Sequence, residues 1–421
     1  MVWSCCTSTA TMKHHREAAA TIDTIAQACG RSRSTVSSVL RGEARRYRIS
    51  EATEAVVMET AARVGWKPNF FARALNTKKT GTIGVLFPDV FERFMGETIR
   101  GIESVLEGAD YRMFLSTSRF DPDEEIRTID AFAYRGVDGL IIAPYAPFSG
   151  QRSRSSELPE RIGAIPCVVI DRAPEGLDPI AAGYGFVVQN DRESARGATR
   201  YLALGSAGAS PWSTTSPKPT AVAESVMTRP TAVAYLGFDL ASTSLRERLA
   251  GYREAAEELG FPALEVLLGE RNPASRDLRD AVDRLYPGSD DQNYPAAWLV
   301  STEGLANRLA GLLTAKGLTV GVDVTIARFG IDPPCIASSL IGLRQPHREL
   351  GRKAAELLLA LIAQERTTPS GRPGRSLGVG EKYIEVPVEL IAPRYNAPRP
   401  GSEQPSGDAP SIFFTDQEVY P

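Results

Sequence analysis

A chain of 421 residues with 43% hydrophobic side chains can fill more than one core and is long for a single domain. The net charge of −3 hides an asymmetry: residues 13–79 carry 13 Lys or Arg against 6 Asp or Glu, or +7, and the rest of the chain is −10. A small basic module on a larger acidic body is the split expected of a nucleic-acid-binding head on a sensor. No apolar run is long enough for a membrane span. Five scattered cysteines and three histidines show no metal-ligand spacing, so no metal or other cofactor is expected. A leader pattern is also missing, which predicts a cytoplasmic protein with reduced thiols.

Residues 1–20 read as a flexible arm. Residues 24–29 suit a short helix with Ile25 and Ala26 turned inward, closed by Gly30. Ser32 is a natural N-cap for a second helix running to Leu40. Val36, Val39 and Leu40 fall at core spacing, leaving Arg33, Ser34, Ser37, Ser38 and Arg41 on the other faces. Ser50 caps a third helix, with Ala52, Ala55, Val56, Ala62 and Val64 expected inside and Gly65 at its end. A short helix, a glycine turn and a polar second helix predict a helix-turn-helix over residues 21–66, a reader of double-stranded DNA. A further helix is expected just after Pro68, within a hinge and linker at 67–81.

From residue 82 the pattern becomes one of short apolar strands and amphipathic helices. Strands are predicted at 83–87, 111–115, 139–143 and 167–170, with helices at 93–107 and 123–134 between them. The paired acids Glu124 and Glu125 suit a solvated helix start. A second series has strands at 232–236, 264–268, 297–300 and 324–329 and helices at 192–204, 245–259, 275–286 and 303–315. A helix at 347–363 and a last strand at 383–390 complete it. Such alternation predicts an α/β body of two lobes built on doubly wound parallel sheets. One lobe is expected over about 82–186 and 345–366, the other over about 187–343 and 380–394. Residues 206–230 are too long and polar for an ordinary connection and read as an irregular insertion. Residues 367–380 read as a loop and 396–421 as a flexible tail.

In this order the residues resemble a known family. Thr35-Val36-Ser37, Pro68-Asn69 with Ala72 and Leu75, and Gly81-Thr82-Ile83-Gly84-Val85 follow one another as in regulators of the LacI/GalR type. Further matches are the run from Arg135 to Ile141, Asp171-Arg172, Arg248-Leu249-Ala250-Gly251-Tyr252 and Arg344-Gln345-Pro346. The resemblance spans about residues 21–393. It implies an all-α helix-turn-helix head with a hinge helix, then a two-lobed body like a periplasmic binding protein. The implied function is a transcriptional regulator, a repressor, not an enzyme. A homodimer would read a near-palindromic operator. A small-molecule effector, a carbohydrate or other metabolite, would bind between the lobes.

The resemblance also assigns residues. Ser32, Arg33, Ser34, Thr35, Ser37, Ser38 and Arg41 would face DNA, with Arg33 and Ser34 at the base-reading positions. Short hydroxyls let a helix approach closely, and Arg33 can reach a guanine edge. Asn69, Ala72 and Leu75 would lie in the hinge, Leu75 wedging into the minor groove. Asp171 and Arg248 match effector contacts, Asp89 lies at a strand end where ligands bind, and Thr302-Glu303 stand where the family has Asn-Asp. Arg328-Phe329-Gly330, Arg271 and Asn190-Asp191 depart from the family pattern, as do Ser38 and Arg41. Asp332 is the nearest replacement for the carboxylate lost beside Phe329. The pocket therefore does not match a standard monosaccharide site. Residues 43–48 make the loop about three residues longer than usual and add Arg45, Arg46 and Arg48 as phosphate contacts.

Two other readings compete. A two-lobed body alone would suit a small-molecule binding protein without DNA function, but the head and the missing leader argue against it. No nucleophile elbow, phosphate loop or metal cluster supports an enzyme.

Overall fold

The computed structural model describes residues 20–66, 79–89, 93–148, 150–204, 232–239, 242–269, 275–286, 295–330, 340–366 and 378–391. The hinge positions Asn69, Ala72 and Leu75, the insertion at 206–230, the tail, Arg271 and Asp332 lie outside them. The chain divides into two units, Met1–Thr80 and Gly81–Pro421.

Among the described residues the first unit holds three helices: α1 (Ile22–Cys29), α2 (Arg33–Leu40) and α3 (Glu51–Arg63). Each start is fixed by a hydroxyl. Thr21, Ser32 and Ser50 accept from the backbone N–H of Thr24, Thr35 and Thr53, which satisfies amides the helix itself leaves unpaired. Gly30 ends α1 in the left-handed region at φ 65°, where any other residue would be strained. Ile25, Val36, Val39, Ala44, Val57 and Ala61 form the core. The inward face of α3 differs from the sequence expectation. Val57, Thr60 and Ala61 are buried, whereas Ala52, Ala55, Val56 and Ala62 face solvent and Val64 is half-buried. Alanines and valines occur on both faces, so apolar spacing alone did not set the phase of this helix.

The second unit contains two six-stranded sheets. In chain order its elements are β1 (Thr82–Phe87), α4 (Arg93–Gly108), β2 (Arg112–Thr117), α5 (Pro122–Arg135), β3 (Gly139–Ile142), α6 (Leu158–Ile162), β4 (Cys167–Ile170) and β5 (Gly185–Gln189). Then come α7 (Asp191–Leu204), β6 (Val233–Phe238), α8 (Thr243–Leu259), β7 (Leu264–Leu268), α9 (Ser275–Leu285), β8 (Ala297–Val300), α10 (Glu303–Ala315) and β9 (Thr325–Phe329). The last are β10 (Ile341–Arg344), α11 (His347–Arg366), α12 (Val379–Lys382), β11 (Tyr383–Val386) and β12 (Glu389–Ile391).

Sheet one runs β11-β5-β4-β3-β1-β2 and sheet two β12-β10-β9-β8-β6-β7. All pairs are parallel except β10 with β12. Their central strands are apolar on both faces because helices cover both sides.

Two boundaries differ from the expected lobes. All of β5 pairs within sheet one, so residues 187–189 belong there. The expected single strand at 383–390 is two strands, one in each sheet. Pro387 lies between them, and having no N–H it cannot continue a ladder. Strands β5 and β10 were also absent from the sequence reading. The chain thus crosses between lobes three times, at β5–α7, β10–α11 and β11–β12. Glycines set the closest helix crossings: a Cβ at Gly101 or Gly351 would overlap the facing backbone between α4 and α11, and one at Gly251 would overlap Arg192 of α7.

Candidate nucleic-acid interface and effector cleft

The first turn of α2 presents Arg33 and Ser34 to solvent, with the Ser32 hydroxyl beneath them bonded to Ser34 Oγ at 2.9 Å and Thr35 Oγ1 at 2.8 Å. Arg33 Nε lies 3.2 Å from Asp23, in an exposed pair that costs little to break. Ser37 is half-buried and Arg41 exposed. Ser38 departs from the expectation of an outward side chain: it is only 7% exposed. The loop after α2 folds back over the end of this helix, with the Glu43 N–H donating to the Ser38 carbonyl at 2.9 Å. Arg33, Ser34, Thr35, Ser37, Ser38 and Arg41 line one groove, of about 680 Å³, whose far wall is Tyr47 and Ile49. The sequence reading missed these last two, though an aromatic residue amid arginines in a lengthened loop was a usable signal.

In the second unit the expected effector residues sit at the carboxyl ends of strands, where open parallel sheets bind ligands. Asp171 directly follows β4, is 7% exposed and has φ 67°. It accepts from Gln189 Nε2 at 3.1 Å, and Gln345 Nε2 donates to Gln189 Oε1 at 2.9 Å, so a side-chain relay joins the lobes. Arg172 lies 3.0 Å from Asp171. Arg248 is 5% exposed; its Nε donates to Asp191 at 2.8 Å and its Nη1 to the Ser301 carbonyl at 2.7 Å. Its guanidinium lies 4.1 Å from the Phe329 ring centroid. Burial pushes the Asp191 carboxyl up to about 6, partly offset by the Arg248 charge.

Asp171, Gln189, Asp191, Thr243, Ser244 and Tyr383 are among the walls of a hollow of about 360 Å³ between the lobes. Arg248 stands behind Asp191 rather than on that wall. Thr302, Glu303 and Asp89 are not among its lining residues. Thr302 caps α10, accepting from Leu305 N–H, and Glu303 pairs with the buried Arg328 at 2.8 Å. Asp89 is half-buried two residues past β1. Glu125 corrects the reading of a solvated acidic pair. It is 3% exposed, accepts the Tyr145 N–H at 2.7 Å, and burial raises its carboxyl to about 7.

The lobes also touch across the cleft. Ala173 N–H donates to Thr243 Oγ1 at 2.9 Å, Thr243 N–H to the Ala173 carbonyl at 3.0 Å, and the Phe148 and Phe238 rings meet edge-to-face at 6.0 Å. Among the described residues there is no cluster of metal-binding side chains, and no helix is long and apolar enough to cross a membrane.

Comparison with known proteins covers both units. Residues 21–69 match bacterial regulatory proteins of the lacI family, and residues 228–378 match a periplasmic binding protein-like domain. The chain belongs to the LacI family. It is a DNA-binding transcriptional regulator with an effector-binding body, in a family that is not enzymatic. Relatives include the HTH-type transcriptional regulator DegA of Bacillus subtilis, 25% identical over 380 residues, or 90% of this chain and 98% of that protein. The repressor PurR of Vibrio parahaemolyticus is 26% identical over 350 residues, covering 82% and 92%. The lac repressor dimer bound to operator and the anti-inducer ONPF superposes with a TM-score of 0.65 at 19% identity, covering 89% of this chain and 98% of that one. That last likeness bears on the fold alone.

Proposed function

We propose that this LacI-family regulator acts in the cytoplasm as a homodimeric repressor. It reads a near-palindromic operator through the exposed face of α2, and a small metabolite between the lobes alters its operator affinity. The observation that carries the reading is the first turn of α2, where exposed Arg33 and Ser34 stand on a hydroxyl-capped helix above a packed core. Arg33 would contact a guanine edge, while Ser32, Thr35, Ser37 and Arg41 contact phosphates and Ser38 supports the helix from within. Asn69, Ala72 and Leu75 match the family hinge, which would order in the minor groove.

Two features support a dimer. The lac repressor bound to its operator is a dimer. Among the described residues β2 and β7 are the last strands of their sheets and carry exposed apolar side chains, Phe114 at 51%, Leu115 at 40% and Leu267 at 39%. Such edges invite pairing or cover. Both lie at the sheet ends opposite the β11–β12 crossover, so one partner could cover both.

For the effector, Asp171, Asp191, Thr243, Ser244 and Tyr383 offer hydrogen-bonding groups and a ring. The cations near the cleft already face carboxylates: Arg248 faces Asp191, Arg328 faces Glu303 and half-buried Arg172 faces Asp171. A hydroxyl-bearing carbohydrate or another uncharged or amine-bearing metabolite therefore suits the cleft better than a phosphate ester. Binding there would bias the contacts between Ala173 and Thr243 and between Phe148 and Phe238, shifting the population of lobe arrangements. Mobility shifts on DNA flanking the protein's own gene, titrated with candidate metabolites, test the reading. A specific, ligand-sensitive complex is expected; the absence of any specific site at physiological salt sinks it.

A further inference from the structure

We propose that Tyr47 is a second base-reading element of this head, contacting the 5-methyl group of a thymine beside the bases reached by α2. The inference rests on the DNA-binding reading above. The loop that carries Tyr47 is fixed rather than loose. Ala44 is 2% exposed and anchors it in the head core. Tyr47 N–H donates to the Glu43 carbonyl at 3.2 Å, Arg48 N–H to the Arg45 carbonyl at 3.2 Å and Ile49 N–H to the Ala44 carbonyl at 2.9 Å. Arg48 takes φ 53°, an uncommon left-handed conformation for this residue, and thereby turns the chain back toward Ser50. Glu43 pairs with Arg41 at 3.1 Å and Arg46 at 3.6 Å, tying the loop to the end of α2.

This frame holds an aromatic ring in solvent. Tyr47 is 55% exposed, so its ring is available at the groove and not spent in the head core. With Ile49 it forms the apolar wall of the groove whose polar wall is Arg33, Ser34, Thr35 and Ser37. The Arg46 guanidinium lies 5.8 Å from the ring centroid, which places a cation at the same rim. Arg33 and Arg41 line the groove and Arg46 stands at the Tyr47 ring, cations that favour a polyanion, and the groove runs along the helix proposed to read duplex DNA. In the major groove a polar wall can read donors and acceptors, whereas the apolar face of a ring matches the thymine methyl group.

Full-length protein selected against a pool of random duplexes tests this. The wild type is expected to enrich a two-fold motif with a thymine in each half. Tyr47→Ala should lose preference at that one position and keep the positions set by Arg33. Replacing that thymine by deoxyuridine should weaken the wild type about fivefold and leave Tyr47→Ala unchanged. Tyr47→Phe keeps the ring and should retain the preference, which separates loss of contact from loss of fold. By contrast, Arg45→Ala with Arg46→Ala should weaken every duplex alike and flatten the salt slope. An unchanged motif for Tyr47→Ala, or a uniform loss on all duplexes, overturns the inference while leaving the DNA-binding reading intact. Enrichment of no motif by the wild type overturns both.

Discussion

Arg248 was legible as a cleft residue only through the resemblance to the family, and the structure gives it a heavier duty. Its Nε and Nη1 are spent on Asp191 and Ser301, at 5% exposure. Arg248→Ala would leave Asp191 buried without its cation, so a loss of about 3–5 kcal/mol is expected in denaturant unfolding. Adding Asp191→Asn should recover part of it, because the stranded charge is gone. Glu125 makes a different prediction. Its folded-state pKa of about 7 stands above the ordinary 4.5, so its stabilising contribution is complete below 4.5 and is lost as pH rises through 7. Glu125→Gln keeps an oxygen for the Tyr145 N–H and has no such loss. Its stability relative to wild type should therefore rise by about 3 kcal/mol between acid and mildly alkaline pH; a difference that does not vary with pH would rule this out. Nothing in the spacing of Glu124 and Glu125 distinguished the half-buried carboxylate, paired with Arg127, from the fully buried one. That distinction is made by how α5 docks on sheet one beside the loop that carries Tyr145, a tertiary fact.

At the scale of elements, the capped helices were the most legible. Ser32, Ser50 and Gly30 act through neighbours three or four residues away, and such local chemistry is written in sequence. Strands β5 and β10 were not found, being short and apolar beside more obvious helices, and a strand's sheet partner has no local code. Helix pairing is decided by close approach. A Cβ on Gly251 would overlap the Arg192 carbonyl oxygen, so Gly251→Ala must push α7 and α8 apart. A loss of about 3 kcal/mol is expected, read as a lowered unfolding midpoint. Gly304→Ala is the control: open space surrounds that helical position, and a gain of about 0.5 kcal/mol is expected.

For the molecule as a whole, fold class was readable because charge asymmetry and strand–helix alternation are summed over hundreds of residues. The placement of effector residues was not. The sequence brought Asp89, Asp171, Arg248, Thr302 and Glu303 together by analogy, whereas only Asp171 of these lines the hollow between the lobes. Glu303 has a neighbour of its own in Arg328, a residue that differs from the family pattern. The proposed association through sheet edges is also a whole-molecule property. Phe114→Glu adds a charge to the exposed edge strand β2 without disturbing its buried neighbours, and sedimentation should then give a monomer with weakened operator binding. A variant that remains dimeric would exclude β2 from the interface.

The segment around Pro387 has a consequence for how the protein is made. β11 completes sheet one and β12 completes sheet two, and they stand only two residues apart near the end of the body. During synthesis sheet one cannot acquire its final edge until Val386 has left the ribosome, nor sheet two until Ile391 has, whereas the helical head can form as soon as it emerges. A nascent regulator would thus hold a folded DNA reader ahead of an unfinished sensor, and both halves of that sensor would close at nearly the same moment.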